Sequence, residues 1–328
     1  MTSGLQERSS PVQAGVRTLG GIRPVTRTGS MWGEIVLRAH MRWAAVSVLA
    51  LLAGGVSAPV AAAAVGLPTI TGVVKVEAPS LNNSAMAKSV TVTCPTGKRL
   101  IDAGGNVVGG GGKVSMDDIY PDLTANSVTV SGKEIDPLDT NWWVSAVATC
   151  ADEPSGLELV TTASSPGSLY IRAVTATCPT GKTLLGDGAT ITGGKGEVIL
   201  DTVAPNGGSG TAATDVTVEA FESSPFADDW LINAFAICAD PLSGQQRVSD
   251  STGLGSANNG ARATCTGQVE TGSGTEIAGV YGVVAIAGEY PVDGSAVSAP
   301  TATTVYGEEV NGTTGDWYIT AFALCADG

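Results

Sequence analysis

The segment Thr180-Gly-Lys-Thr183 ends like a phosphate-binding loop, in which the Lys would reach the phosphates and the hydroxyl a magnesium ion. That loop needs a Gly five residues before Gly181, and Ala176 stands there. Pro179-Thr-Gly181 supplies instead the Pro and Gly of a tight turn. Carboxylates are the next candidates, because glycoside hydrolysis needs only two of them across a cleft. The adjacent pairs Asp228-Asp229 and Glu308-Glu309 would point to opposite faces of a strand. Asp117 aligns with Asp201, but Ala287 takes that place later in the chain. Asp152, Asp240 and Asp327 each follow a Cys-Ala dipeptide. Grouped about a threefold axis they would offer oxygen ligands to calcium, yet no calcium-loop spacing accompanies them. The plainer expectation is a polar residue closing a strand.

Histidine chemistry is excluded more firmly. The single histidine, His40, lies upstream of every segment that reads as folded. A Ser-His-Asp or Cys-His mechanism therefore has no base, and no Ser-x-x-Lys motif follows residue 64. Zinc is also disfavoured, since no Cys-x-x-Cys pair occurs. No residue is assigned a catalytic, cofactor-binding or metal-ligating role, and no cofactor is expected.

The elements that hold these residues begin after a leader. Residues 1–64 carry six Arg against Glu7 and Glu34, then the apolar run Ala44–Ala53, then Val60-Ala-Ala-Ala-Ala64. A positive region, a short apolar core and small residues before a cut form a secretory signal. Cleavage before Val65 fits Ala62 and Ala64, and initiation at Met31 or Met41 gives a signal of ordinary length, near 31–64. Gly54, Gly55 and Pro59 weaken the alternative of an uncleaved anchor. The expected location is secreted, extracellular, with no stable membrane span after cleavage.

Beyond the leader the chain keeps 11 basic and 29 acidic residues and no histidine. So acidic a chain is not a nucleic-acid binder, which needs Lys and Arg against phosphates. Only 15% of the residues are charged and the mean hydropathy is +0.21, which argues against a disordered chain.

What remains is one unit written three times. Asn141-Trp-Trp-Val-Ser-Ala-Val-Ala-Thr-Cys-Ala-Asp152 returns as Asp229–Asp240 and as Asp316–Asp327. Cys94-Pro-Thr-Gly-Lys98 returns as Cys178–Lys182 and, decayed, as Cys265-Thr-Gly-Gln268, while Pro121, Pro205 and Pro291 keep step. The units run 65–156, 157–244 and 245–328. One early and one late cysteine per unit select, from 15 pairings, Cys94–Cys150, Cys178–Cys238 and Cys265–Cys325. Export supplies the oxidising compartment these bonds require.

Along the late segment Trp230, Ile232, Ala234, Ala236 and Cys238 share one face, and Leu231, Asn233, Phe235 and Ile237 the other. Two apolar faces predict a central, covered strand. Further strands are expected near 73–77, 88–94, 99–108, 113–119 and 127–134, and at their counterparts 157–163, 170–178, 183–192, 197–203 and 214–222. Turns such as Gly109–Gly112 and Gly193–Gly196 separate them. The fold class is all-β: three tandem small β-sandwich or Greek-key-like units with one disulfide each. Trp142, Trp230 and Trp317 share the register of the inward Ala and Cys and are expected in the core. Trp143 and Tyr318 fall on the opposite face with Leu231, where neighbouring units would meet.

The Cys-Pro-x-Gly-Lys opening and Trp-x-Ile-x-Ala-x-Ala-x-Cys-Ala ending resemble a repeat in secreted, largely uncharacterised proteins of high-GC Gram-positive bacteria. The resemblance covers about 90–327 and is weakest at the third opening. It implies a secreted β-rich repeat and carries no catalytic residue.

The expected function is therefore a secreted non-enzymatic repeat protein, structural or adhesive, that binds a cell-surface glycan or a protein through loops between units. The alternative is a carboxylate-based extracellular glycan hydrolase.

Overall fold

The computed structural model describes residues 66–310, 312, 313 and 315–328. The leader expected over 1–64, with its signal segment, its cleavage site and His40, lies outside the described residues.

The described residues are all β, with 18 strands and no helix. The first six are β1 (Val74–Pro79), β2 (Ala87–Thr93), β3 (Arg99–Val108), β4 (Val114–Asp122), β5 (Ser127–Glu134) and β6 (Trp143–Ala151). The next six are β7 (Glu158–Ala163), β8 (Ile171–Thr177), β9 (Thr183–Thr192), β10 (Val198–Pro205), β11 (Asp215–Glu222) and β12 (Leu231–Ala239). The last six are β13 (Gln246–Ser251), β14 (Asn259–Thr264), β15 (Val269–Ala278), β16 (Val284–Val292), β17 (Ala302–Glu309) and β18 (Tyr318–Ala326).

Each set of six forms a small β-sandwich. In the first, β6 lies between β1 and β3 in one layer, and β5 lies between β2 and β4 in the other. The two layers pack face to face through β2, β5 and β6. Alternation decides the faces: Val144, Ala146, Ala148 and Cys150 of β6 meet Val128 and Val130 of β5 in the shared core. Trp142, Trp230 and Trp317 are buried at the same place in each sandwich. One disulfide bolts the layers of each unit together: Cys94–Cys150, Cys178–Cys238 and Cys265–Cys325, with Cα atoms 5.8, 5.7 and 5.6 Å apart.

The layers do not end at the unit boundary. The three sheets have orders β1-β6-β3-β16-β17-β14, β2-β5-β4-β9-β12-β7 and β13-β18-β15-β10-β11-β8. Every sheet is therefore half one unit and half another, and the three units close into a ring. The joins are short antiparallel ladders: Asn106 opposite Gly288, Asp118 opposite Thr190, and Thr202 opposite Glu276. All six joining strands carry a bulge, at Ile101, Leu185 and Thr271 and at Asp117, Asp201 and Ala287. A bulge bends its strand and raises the twist, which suits a strand that must turn from one unit toward the next.

At the centre β3, β9 and β15 approach one another. A Cβ on Gly186 would lie 2.6 Å from Cα of Asp102, and one on Gly272 would lie 2.9 Å from Cα of Gly186. Glycine is needed there because backbone meets backbone. Glycine-rich turns serve the ring in a second way. Gly196, at φ +90°, and Gly282, at φ +71°, pass under the carbonyl oxygens of Glu134 and Glu222 of the preceding unit. The ring is sealed at its ends: Ile70 N–H donates to Asp327 O at 2.9 Å, and Ser243 N–H donates to Pro68 O at 2.8 Å. Ile70, Val73, Ile101, Leu185, Ala239, Leu242 and Ala326 pack into one end cluster, drawing on all three units.

Candidate functional site

The motif residues singled out in the sequence are absorbed by structure. Lys98 N–H donates to Pro95 O and Lys182 N–H to Pro179 O, both at 3.0 Å, with Gly97 and Gly181 at φ +85° and +89°. These are turns with glycine in the left-handed position. The Lys182 ammonium bonds Gly156 O and Glu158 and faces no phosphate cradle. Asp152, Asp240 and Asp327 stand apart, each accepting from a hydroxyl just ahead of its unit's first strand: Thr71 at 2.8 Å, Ser155 at 2.7 Å and Ser243 at 2.7 Å. The hydrogen bonds from Lys98 and Thr71 hold Asp152 below the usual carboxylate range. Asp228 pairs with Lys195 at 2.5 Å in solvent. Glu308 and Glu309 diverge as strand alternation requires: Glu308 accepts from Gly112 N–H, and Glu309 from the Trp317 indole. Asp117 and Asp201 are bulge residues. Burial raises both, and Lys133 pairs with Asp117 at 2.5 Å.

A cluster of carboxyls that the sequence did not single out lies at the centre of the ring. Asp102, Asp187, Glu270 and Glu289 are fully buried. Asp102 accepts from Asp187 N–H at 3.2 Å and from Ser273 Oγ at 2.9 Å, so one carboxyl joins all three units. Glu270 accepts from Thr303 Oγ1 at 3.1 Å. Burial pushes Asp102 up to about 7 and Glu289 up to about 8. Asp187 is held well above the carboxylate range by burial and by Glu289, Asp102 and Glu270 around it. The side-chain oxygens of Asp187 and Glu289 have no hydrogen-bond partner, and burial raises both carboxyls. Among the described residues no group of three or more acids is arranged to hold a metal ion. The cluster is sealed from solvent and has no access for a substrate.

What signal marks the two glutamates? Glu270 occupies the place of Leu100 and Leu184, and Glu289 that of Ile119 and Val203. An acid where the other copies keep a core aliphatic is the sequence mark of a paired or protonated carboxyl.

The accessible candidates are the outer faces where two units join, and there the three copies differ. The face between units one and three holds Asn106, Tyr290 and Tyr306 in a cleft of about 440 Å³, with Asn258, Asn259 and Glu308 on its rim. The Tyr290 and Tyr306 rings stack, with centroids 6.4 Å apart and planes 29° from parallel. Tyr306 is 46% exposed. Burial, with Tyr306 alongside, pushes the Tyr290 phenol up to about 12, so it remains a donor. At the corresponding places the second face has Thr190, Tyr120 and Ser131, with Tyr120 edge-on to Phe235 at 5.4 Å. The third has Glu276, Ala204 and Glu219, with Arg247 over Phe322 at 4.6 Å. Of the three, the first face stacks two tyrosines beside Asn106, where the second sets Tyr120 edge-on to the buried Phe235. Trp143 and Tyr318 are half-buried on outer faces, and neither lines this cleft.

No family model matches this sequence, and no curated protein matches it significantly.

Proposed function

We propose that this chain is a secreted, non-enzymatic tandem-repeat protein that binds glycan at or outside the cell surface, in the Tyr290–Tyr306 cleft. One observation carries the reading: two stacked tyrosines beside Asn106 occur at a junction whose equivalents carry Tyr120 with Ser131 and Ala204 with Glu219. Aromatic faces cover the apolar face of a sugar ring, while amides, a phenol and a carboxylate satisfy its hydroxyls. The scaffold has been kept threefold while the chemistry differs from face to face, which is the pattern of a site grafted on a common frame.

Three disulfides support an oxidising compartment. Export by the 31–64 signal segment would put it there. The non-enzymatic reading rests on the cleft's single lining carboxylate, Glu308, since hydrolysis needs two facing carboxyls. A screen of the exported protein on purified polysaccharides, with reducing-end assay, tests both parts. Retention without sugar release, lost in Tyr306→Ala, is expected. Released sugar would replace this reading with a glycan hydrolase.

A further inference from the structure

At two of the three unit junctions a hairpin loop crosses to the first strand of a neighbouring unit and bonds to its free edge. The loop between β10 and β11 runs parallel to β13: Gly210 N–H donates to Arg247 O at 2.9 Å, and Arg247 N–H donates to Thr211 O at 2.8 Å. The loop between β16 and β17 meets β1 where Lys75 N–H donates to Ser295 O at 2.9 Å. Lys75, Leu159 and Arg247 hold the same position, each opposite the residue before the late cysteine of its unit.

At the third edge the loop is missing. The turn between β4 and β5 is only Leu123–Asn126, and none of its residues bonds to β7. Asn126 instead folds back onto its own unit, accepting from Leu100 N–H. A cleft of about 660 Å³ stands there, between Tyr120, Asp122, Leu123 and the edge residues Leu157, Glu158 and Leu159. Leu157 and Leu159 are half-buried; beside them Arg99 pairs with Glu153 and Glu158 with Lys182, and Asp122 accepts from the Thr124 and Ala125 amides. An uncovered edge offers a ready hydrogen-bonding template.

We propose that this cleft binds a short, uncharged peptide turn of small residues, supplied by a partner protein, which pairs through its main chain with β7 at Leu159. The molecule's own occupants of the two equivalent edges define the ligand class. They are Gly207-Gly-Ser-Gly-Thr211 and Gly294-Ser-Ala-Val-Ser298, both tight turns, uncharged and nearly free of bulk. Strand addition draws affinity from main-chain hydrogen bonds and specificity from side-chain fit. Here Tyr120 and Leu123 form the wall facing Leu157 and Leu159. The peptide surface lies on a different junction from the tyrosine cleft, so either can fail without the other.

The test is made on the whole protein by NMR, with a synthetic peptide of residues 206–213 as the probe. Without peptide, the Leu159 amide should exchange with solvent at least about tenfold faster than the amides of Lys75 and Arg247, which are bonded. Millimolar peptide should shift Glu158, Leu159 and Tyr120 and slow exchange at Leu159. Leu159→Pro, which removes the edge donor where a strand tolerates proline, should weaken that binding at least about tenfold. A second variant carrying residues 206–214 in place of 123–126 should abolish it by filling the cleft. Equal protection at the three amides, or peptide shifts that survive both variants, would overturn the proposal. Protection of Leu159 that grows with protein concentration alone would also overturn it, assigning the edge to a second copy of the chain.

Discussion

The indole of Trp230 donates through Nε1 to Oε1 of Glu222 at 3.2 Å, eight residues earlier, and the arrangement recurs from Trp142 to Glu134 and from Trp317 to Glu309. A buried Trp needs a partner for its N–H, and each unit supplies one from the end of its fifth strand. The same Glu222 carboxyl accepts from Phe226 N–H, tying the loop that leads to the Trp. Its carbonyl oxygen lies over Gly282 of the next unit. One residue thus fixes a core aromatic, a loop and a unit junction.

Glu222→Ala should therefore cost about 1–3 kcal/mol, because it orphans a buried donor. Glu222→Gln keeps an acceptor and should recover most of the loss. Chemical denaturation of the two variants separates these outcomes. Equal stability of both would show the hydrogen bond to be idle.

The buried acids set a direction for pH dependence. Folding raises Asp102 to about 7 and Glu289 to about 8, and raises Asp187 and Glu270 as well. Unfolded carboxyls titrate near about 4, so the folded chain binds more protons above that pH and stability falls as pH rises. The stabilising protons are all present below the unfolded values and are lost as pH climbs through the folded ones. Asp152 and Asp327 are lowered and act oppositely, weakening the fold only as pH drops below about 4. Thermal unfolding should peak near about pH 5 and decline through neutrality. Asp187→Asn, which needs no proton to stay neutral, should raise the melting temperature at pH 8 and flatten the decline. A melting temperature that rises steadily from pH 5 to 8 would contradict this account of the centre.

Each disulfide closes a chain segment of 56 or 60 residues between the two layers of a sandwich. A paired Cys178→Ser, Cys238→Ser variant should lose about 4 kcal/mol by the chain-entropy relation. Because unit two contributes to two sheets, the loss should appear as lower stability of the whole ring. Hydrogen exchange would report this as weakened protection in β4 and β15, which pair with β9 and β10. Weakening confined to β7–β12 would mean that the units unfold independently.

The centre gives a sharper packing test. A methyl group on Gly186 would meet the Asp102 backbone, which has no flexible end to give way. Gly186→Ala should destabilise by several kcal/mol, whereas Gly66→Ala, which meets nothing, should be neutral. Similar unfolding midpoints for the two would show that the strands at the axis are not packed this closely.

Strand positions were legible because period-two alternation, Gly-Pro punctuation and threefold recurrence agree. The expected 99–108 and 183–192 match β3 and β9. The sharing of sheets between units was not legible, because three copies of one pattern give the same apolar face whichever copy lies next door. The joins rest on two residue pairs each, such as Asn106 with Gly288 and Gly105 with Glu289. The central acids escaped notice because they do not recur. Asp102, Asp187 and Glu270 sit at three different places relative to their bulges, so a search for repeated chemistry passes over them. The tyrosine cleft was hidden for the same reason, since Tyr306 lies where other copies have Ser131 and Glu219.

The account of function turns on Tyr306, which is 46% exposed and can be truncated without opening the core. The decisive measurement is equilibrium binding of the exported protein and its Tyr306→Ala variant to polysaccharides, with released reducing ends followed in the same samples. The account predicts saturable binding that drops at least about tenfold in the variant, with no sugar released, since an aromatic anchor carries much of a small site's energy. Binding that is indifferent to Tyr306, or sugar release by the unmodified protein, would contradict it.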